Sequence, residues 1–169
     1  GNLQSLSEQQ LVDCSKQNSG CNGGLMDYAF KFYESTSVAT ESSYAYTGRD
    51  GTCKSSFTTA IPQGGVTGYK DVQQSASGLT SAIMNSPVSV AIEADQMVFQ
   101  MYSGGTITSG CGSNLDHGVL AVGYDGTSIK VKNSWGSSWG VKGYVNIDAS
   151  QCGITTSASY PTVSASVQV

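Results

Sequence analysis

Apolar residues change rhythm about halfway along the chain. Early on they recur at helical spacing, and after residue 86 they alternate at every second position. The S-x-x-Q stretch from Ser7 to Gln10 is a capping-box pattern, and Leu6 just before it is placed as a hydrophobic staple. A helix from Glu8 to about Ser15 follows, with Leu11 and Val12 as its buried side. GCNGG (20–24) is turn chemistry, since glycine reaches backbone angles that other residues avoid. Met26, Ala29, Phe30 and Tyr33 then fall on one face of a second helix. Residues 36–68 are rich in Ser, Thr and Gly and read as loops with short strands. A third helix spans roughly Ala76 to Asn85, with Leu79 and Ile83 inward.

The β rhythm begins at PVSVAIEA (87–94), where Val88, Val90 and Ile92 share a face. GVLAVGY, SIKVKNSW and GYVNI are further β segments between glycine-rich turns. Helices first and strands afterwards make an α+β protein with two lobes, residues 1–69 helical and residues 70–169 built on sheet. No internal repeat or low-complexity linker interrupts them.

Composition narrows the function. A chain of 169 residues suits one domain or two small lobes sharing a core. The net charge of −4 provides no basic stripe for a phosphate backbone, which excludes nucleic acid as a partner. No apolar run approaches the length of a bilayer span, so no membrane partner is expected. The opening GNLQSLSEQQ lacks the features of a signal peptide, and it starts without Met at the approach to a helix, as a processed product or a fragment would. No N-x-[ST] sequon occurs. Of the five cysteines, none forms a CxxC pair, and one histidine cannot complete a zinc-ligand set. No metal and no cofactor are therefore expected. Disulfides fit the cysteines better and point to an oxidising compartment, with one thiol left over from two bridges.

The candidate chemistry lies in two stretches. LDHGVLAVGY (115–124) holds His117, the single histidine, and KNSWGSSWG (132–140) holds Asn133 and both tryptophans, Trp135 and Trp139. Alone, a histidine at a strand start is more often structural than catalytic. A base needs a group that aims it, and an amide oxygen does so by fixing tautomer and ring angle without adding charge. An indole beside that hydrogen bond keeps water away and strengthens it.

Six stretches in order, LSEQQLVDCS, GCNGGLMDYAF, PVSVAIEA, DHGVLAVGY, KNSWGSSWG and CGITTSASYP, resemble landmarks of the papain-like cysteine proteases. CNGGLMDYAF and ASYPTV are most similar to the cathepsin L branch. The resemblance implies a two-lobe papain-like fold, a helical lobe and a β-barrel-like lobe with the cleft between them. It implies a Cys–His–Asn endopeptidase in which His117 is the general acid/base and Asn133 its orienter. Trp135 is then the shield over their hydrogen bond and Trp139 the wall on the leaving-group side. Gly23 and Gly24 match the cleft wall. Leu25, Met26, Ala91, Leu115 and Ser157 match the pocket for the second residue before the scissile bond (P2). That set is mostly apolar and implies Leu, Phe or Val at P2 rather than Arg. Asp116 stands at the cleft edge beside the base, where a loop-capping role is the plainer reading. The resemblance also pairs Cys14 with Cys53 and Cys111 with Cys152, leaving Cys21 unpaired. Each bridge closes a loop of about 40 residues, worth roughly 4 kcal/mol in the chain-entropy picture.

One part of the family pattern is missing. C-G-[SA]-C-[WY] occurs nowhere, and family spacing, about 130 residues before the histidine and about 150 before the asparagine, puts the nucleophile upstream of Gly1. Neither Cys14 nor Cys21 opens a helix, the setting that lowers a thiol's pKa. The expectation is a fold incomplete without its central helix, which leaves apolar surface exposed and the isolated chain poorly folded and inactive. The partners implied are peptide substrates, the chain's own propeptide and cystatin-like inhibitors. A monomer is expected, in a lysosome-like or secreted setting. The competing reading is a non-catalytic homologue, with the nucleophile replaced, serving as a binding or structural protein.

Overall fold

The computed structural model describes residues 3–165 and 167. The chain divides into two units, one comprising residues up to Lys70 together with the segment from Pro161, the other running from Asp71 to Tyr160. The sequence reading placed the division at 69/70 and kept residues 70–169 together; here the segment from Pro161 groups with the first unit because its pairing is non-local. Thr67 Oγ1 donates to Thr162 Oγ1 at 3.0 Å, and the Ser164 N–H donates to the Gly65 carbonyl at 2.8 Å.

In the first unit, helix α1 (Glu8–Cys14) starts where Ser7 Oγ accepts from the Gln10 N–H at 3.0 Å. Leu6 is exposed and forms a bridge to Thr40. The reciprocal half of the expected capping box does not form: the Ser7 N–H donates to the Ala39 carbonyl at 3.0 Å, and the Gln10 side chain turns away from the cap. Its Oε1 accepts from the Ala39 N–H (2.9 Å) and the Tyr33 hydroxyl (3.2 Å), while Nε2 donates to the Ser37 carbonyl (2.9 Å). Gln9 does the same for Thr47 N–H and the Arg49 carbonyl.

The buried side of α1 is therefore Gln9, Gln10, Asp13 and Cys14, whereas Leu11 and Val12 are half-buried. The neighbouring loops present unpaired backbone groups that an apolar side chain would strand, at a cost of about 1–3 kcal/mol each. Two long amides meet them instead. Cys14 is bonded to Cys53, 39 residues on. Helix α2 (Met26–Glu34) buries Tyr33, and the short strands β1 (Val38–Ala39) and β2 (Thr59–Ile61) pair antiparallel beyond it. Strand β3 (Val66–Asp71) ends the first stretch of this unit.

The second unit is organised by period-two burial. Strands β4 (Val88–Ile92), β6 (His117–Tyr124), β7 (Ile129–Lys132) and β8 (Tyr144–Ile147) bury alternate residues, among them Val88, Val90, Ile92, Val131 and Ile147. Their ladders are antiparallel. β5 (Thr106–Ile107) adds to β8 in parallel, and β9 (Ala158–Val163) joins β4 on one side and β3 on the other, giving the order β3-β9-β4-β6-β7-β8-β5. Helix α3 (Ala76–Ile83) buries Leu79 and Ile83 and packs on β4 and β6. Ser75 Oγ caps it by accepting from the Gly78 N–H at 3.0 Å. Helix α4 (Met97–Gln100) is a single turn that the sequence pattern did not mark. The mixture of helices and sheet is α+β.

Candidate active site

Register in the sheet decides what surrounds His117. On β6, His117 stands opposite Ile92 of β4. On the other side Leu120 pairs with Lys132 at the end of β7, and the chain just beyond it brings Asn133 and Trp135 to the imidazole. Asp116 secures the start of β6. Its N–H donates to the Ile92 carbonyl (3.0 Å), and its Oδ1 accepts from the Ala94 N–H at 2.7 Å. This is the loop-capping role.

Asn133 follows β7 and is buried, with its own N–H held by the Gly143 carbonyl at 3.0 Å. Its side-chain oxygen lies 2.8 Å from His117 Nε2 and 2.8 Å from the Ser134 backbone N–H. The second contact fixes the chemistry of the first. A backbone N–H can only donate, so the atom facing it is the amide oxygen and not the nitrogen. That oxygen cannot donate, so His117 Nε2 carries a hydrogen. In the neutral imidazole the lone pair is then on Nδ1, the nitrogen turned away from Asn133.

Trp135 stacks on the imidazole, with ring centroids 5.1 Å apart and planes 27° apart. The indole is 40% exposed, so it covers one face of the His117–Asn133 pair without sealing it. Beneath it lies Phe99, which the sequence reading missed. Phe99 is fully buried and meets Trp135 edge-on at 5.4 Å and Trp139 at 4.9 Å. Helix α4 brings it there, and Trp139 Nε1 donates to the Gln100 carbonyl at 3.0 Å, tying the indole to the same turn. A four-residue helix carries too few positions for a periodic signal, so no pattern in the sequence revealed it.

The other predicted residues fall in both units. In the second, Ala91 N–H donates to the Ser157 carbonyl at 2.9 Å, placing those two side by side. Leu115 is exposed and leans over Gly153, and its loop is tied to Cys152 by the Cys111–Cys152 disulfide. In the first, Gly23 adopts φ +98°, a conformation suited to glycine, and Leu25 is the exposed N-cap of α2, which Met26 begins. Cys21 is a free, exposed thiol. Partial desolvation and the neighbouring Asp50 and Asp13 carboxylates raise its pKa, with a hydrogen bond to Asp50 adding to the shift. A cavity of about 580 Å³ in the second unit is lined by Tyr102, Tyr124, Lys130 and Tyr144 among others, and includes none of the predicted site residues.

The structure thus brings together an imidazole, a buried amide oxygen and an indole within one unit. Comparison with known proteins specifies the class. A profile of the papain family cysteine proteases matches residues 1–162, and the chain belongs to that family. It is 48% identical to the thiol protease SEN102 of Hemerocallis sp., over 95% of this chain and 48% of that protein. It is 49% identical to vignain of Ricinus communis, over 94% of this chain and 48% of that protein. The chain thus spans about half the length of these curated relatives. Among solved structures, the Carica candamarcensis cysteine protease CMS1MS2 in complex with E-64 superposes with a TM-score of 0.90 at 35% identity, covering 96% of this chain and 79% of that one. The proform of the ragweed pollen allergen Amb a 11, a cysteine protease, gives the same TM-score and identity over 97% of this chain and 54% of that one.

Proposed function

We propose that this chain supplies the acid/base machinery and much of the substrate surface of a cysteine endopeptidase working by a Cys–His–Asn mechanism. The observation that carries this reading is the 2.8 Å contact between His117 Nε2 and an Asn133 oxygen whose identity Ser134 fixes. Nδ1 takes the proton of a cysteine thiol, giving a thiolate–imidazolium pair. The Nε2–H to Asn133 bond persists through that step and strengthens as the ring becomes cationic. The thiolate attacks the peptide carbonyl, and Nδ1–H then delivers its proton to the departing amine.

None of the chain's five cysteines suits the nucleophile's role. Four are in disulfides, and Cys21 has its thiol pKa raised, the opposite of what a nucleophile needs. On this proposal the nucleophilic thiol is a cysteine other than these five. The purified 169-residue chain is expected to leave a fluorogenic peptide intact, and measurable turnover would overturn this assignment.

Within the second unit, Ala91, Leu115 and Ser157 are proposed to receive the P2 side chain. The set contains no acid, and Ala91 leaves volume. An active protease carrying this chain is expected to favour Leu, Phe or Val over Arg at P2 by about 10-fold or more in kcat/KM, because a guanidinium would be desolvated there without a partner. Equal or better cleavage of substrates with Arg at P2 would count against the assignment. The disulfides suit an oxidising setting, lysosome-like or secreted. A propeptide and cystatin-like inhibitors are the proposed protein partners, acting on a monomeric enzyme. The Amb a 11 structure, solved as a proform, supports the propeptide.

A further inference from the structure

The segment from Gly20 to Leu25 has little to hold it by burial. Residues 21–25 are all exposed, Leu25 by 53%, so no apolar contact of the kind that fixes the sheet fixes this backbone. It is pinned instead by two polar side chains, one at each end. At its start, Asp50 Oδ1 accepts from the Cys21 N–H at 2.8 Å. At its close, Asn18 Oδ1 accepts from the Leu25 N–H at 2.9 Å, while Asn18 Nδ2 donates to the buried Ser15 Oγ at 2.9 Å. Asn18 thus ties the exposed loop to the end of α1, the helix that the Cys14–Cys53 disulfide also anchors.

The glycines fit these two anchors. A Cβ at Gly20 would overlap Asp50 Oδ1, and one at Gly24 would overlap Asn18 Oδ1. Both side chains lie where any residue but glycine would displace them. Gly23 differs: the Cβ direction there is open, with nothing within 4 Å. Its N–H donates to the Gly20 carbonyl at 3.2 Å, and its carbonyl accepts from the Ser19 N–H at 2.9 Å. Gly23 therefore makes the turn, and the two anchors set where its open side and the following Gly24 are presented.

We propose that Asn18 and Asp50 are positioning residues for the Gly20–Leu25 loop and, through it, for substrate binding at Gly23 and Gly24. The substrate half of this inference rests on the function proposed above. Neither side chain touches a reacting atom. Each acts by holding backbone that an extended peptide meets, so the effect falls on binding and not on the chemical step.

The test uses an active protease carrying this chain, with Asn18→Ala and Asp50→Ala made singly. Asn18→Asp and Asp50→Asn serve as partners because each retains an oxygen that accepts the same N–H. Amide hydrogen exchange at Leu25 in Asn18→Ala, and at Cys21 in Asp50→Ala, is expected to accelerate by about 10-fold as the loop opens locally. KM for a short peptide is expected to rise roughly five-fold with kcat unchanged, and the oxygen-retaining partners to restore both readouts most of the way. Unchanged exchange at both amides would overturn the anchoring role itself. Faster exchange with an unchanged KM would leave the anchors in place and overturn the substrate role of Gly23 and Gly24. An Ala variant too unstable to assay is replaced by its oxygen-retaining partner, for which exchange or KM matching a loss of the anchor would contradict the proposal.

Discussion

Replacing His117 with Ala is expected to lower kcat/KM by about four orders of magnitude in a protease carrying this chain, since no other group can accept the thiol proton and return it to the leaving amine. His117 is the chain's only histidine. Asn133→Ala is expected to be milder, about two orders of magnitude. It leaves the imidazole in place but frees the ring to rotate and to carry its hydrogen on either nitrogen. The two losses should not add, because without the imidazole there is nothing left for Asn133 to aim. Steady-state kinetics on the two single variants and the double variant provide the check. A His117→Ala enzyme within 10-fold of the parent would end the proposed mechanism. A double variant much slower than His117→Ala would show that Asn133 acts on something else.

Truncating Phe99 is the second large effect, and it should appear first in stability. The ring is fully buried between the two indoles and the sheet core, so Phe99→Ala is expected to cost about 3–5 kcal/mol and to lower the melting temperature markedly. Activity should fall as well, because Trp135 loses the edge contact that holds it over His117. Phe99→Leu keeps most of the volume but not the ring edges. It should recover most of the stability and less of kcat, which separates packing from indole placement. Thermal unfolding together with kcat for the two variants is the measurement. An unshifted melting temperature in Phe99→Ala would show that the aromatic stack does not depend on it.

These two residues differ in how visible they were. His117 drew attention because it is unique and opens a strand, and Asn133 because it precedes one of only two tryptophans. Residue type singled them out as candidates, and the family resemblance of six ordered stretches supplied their expected roles. Phe99 lies in a one-turn helix with no periodicity, and its importance comes from the two indoles that sit on it from positions 36 and 40 residues later in the chain. The buried side of α1 was misread for a related reason. Hydropathy assigns Leu11 and Val12 to the core, but the loops facing that helix offer bare N–H and C=O groups, and Gln9 and Gln10 are the side chains that can meet them. A polar residue's burial depends on partners, and partners distant in sequence leave no local trace.

The boundary between the units shows the same division. Strand alternation identified β4, β6, β7 and β8, because one buried face imposes a period of two on each strand separately. It could not reveal that the chain from Pro161 returns to the first unit, since that depends on β3 and Gly65 offering pairing groups nearly a hundred residues earlier. The sequence alone determined the type of the longer elements and nominated His117 and Asn133 as a pair, which the structure brings to 2.8 Å. Only the tertiary structure decided which nitrogen of His117 is free, because the Ser134 N–H that identifies the Asn133 oxygen acts through geometry. It alone also decided that two polar side chains, Asn18 and Asp50, hold a loop that hydrophobic burial leaves unsupported.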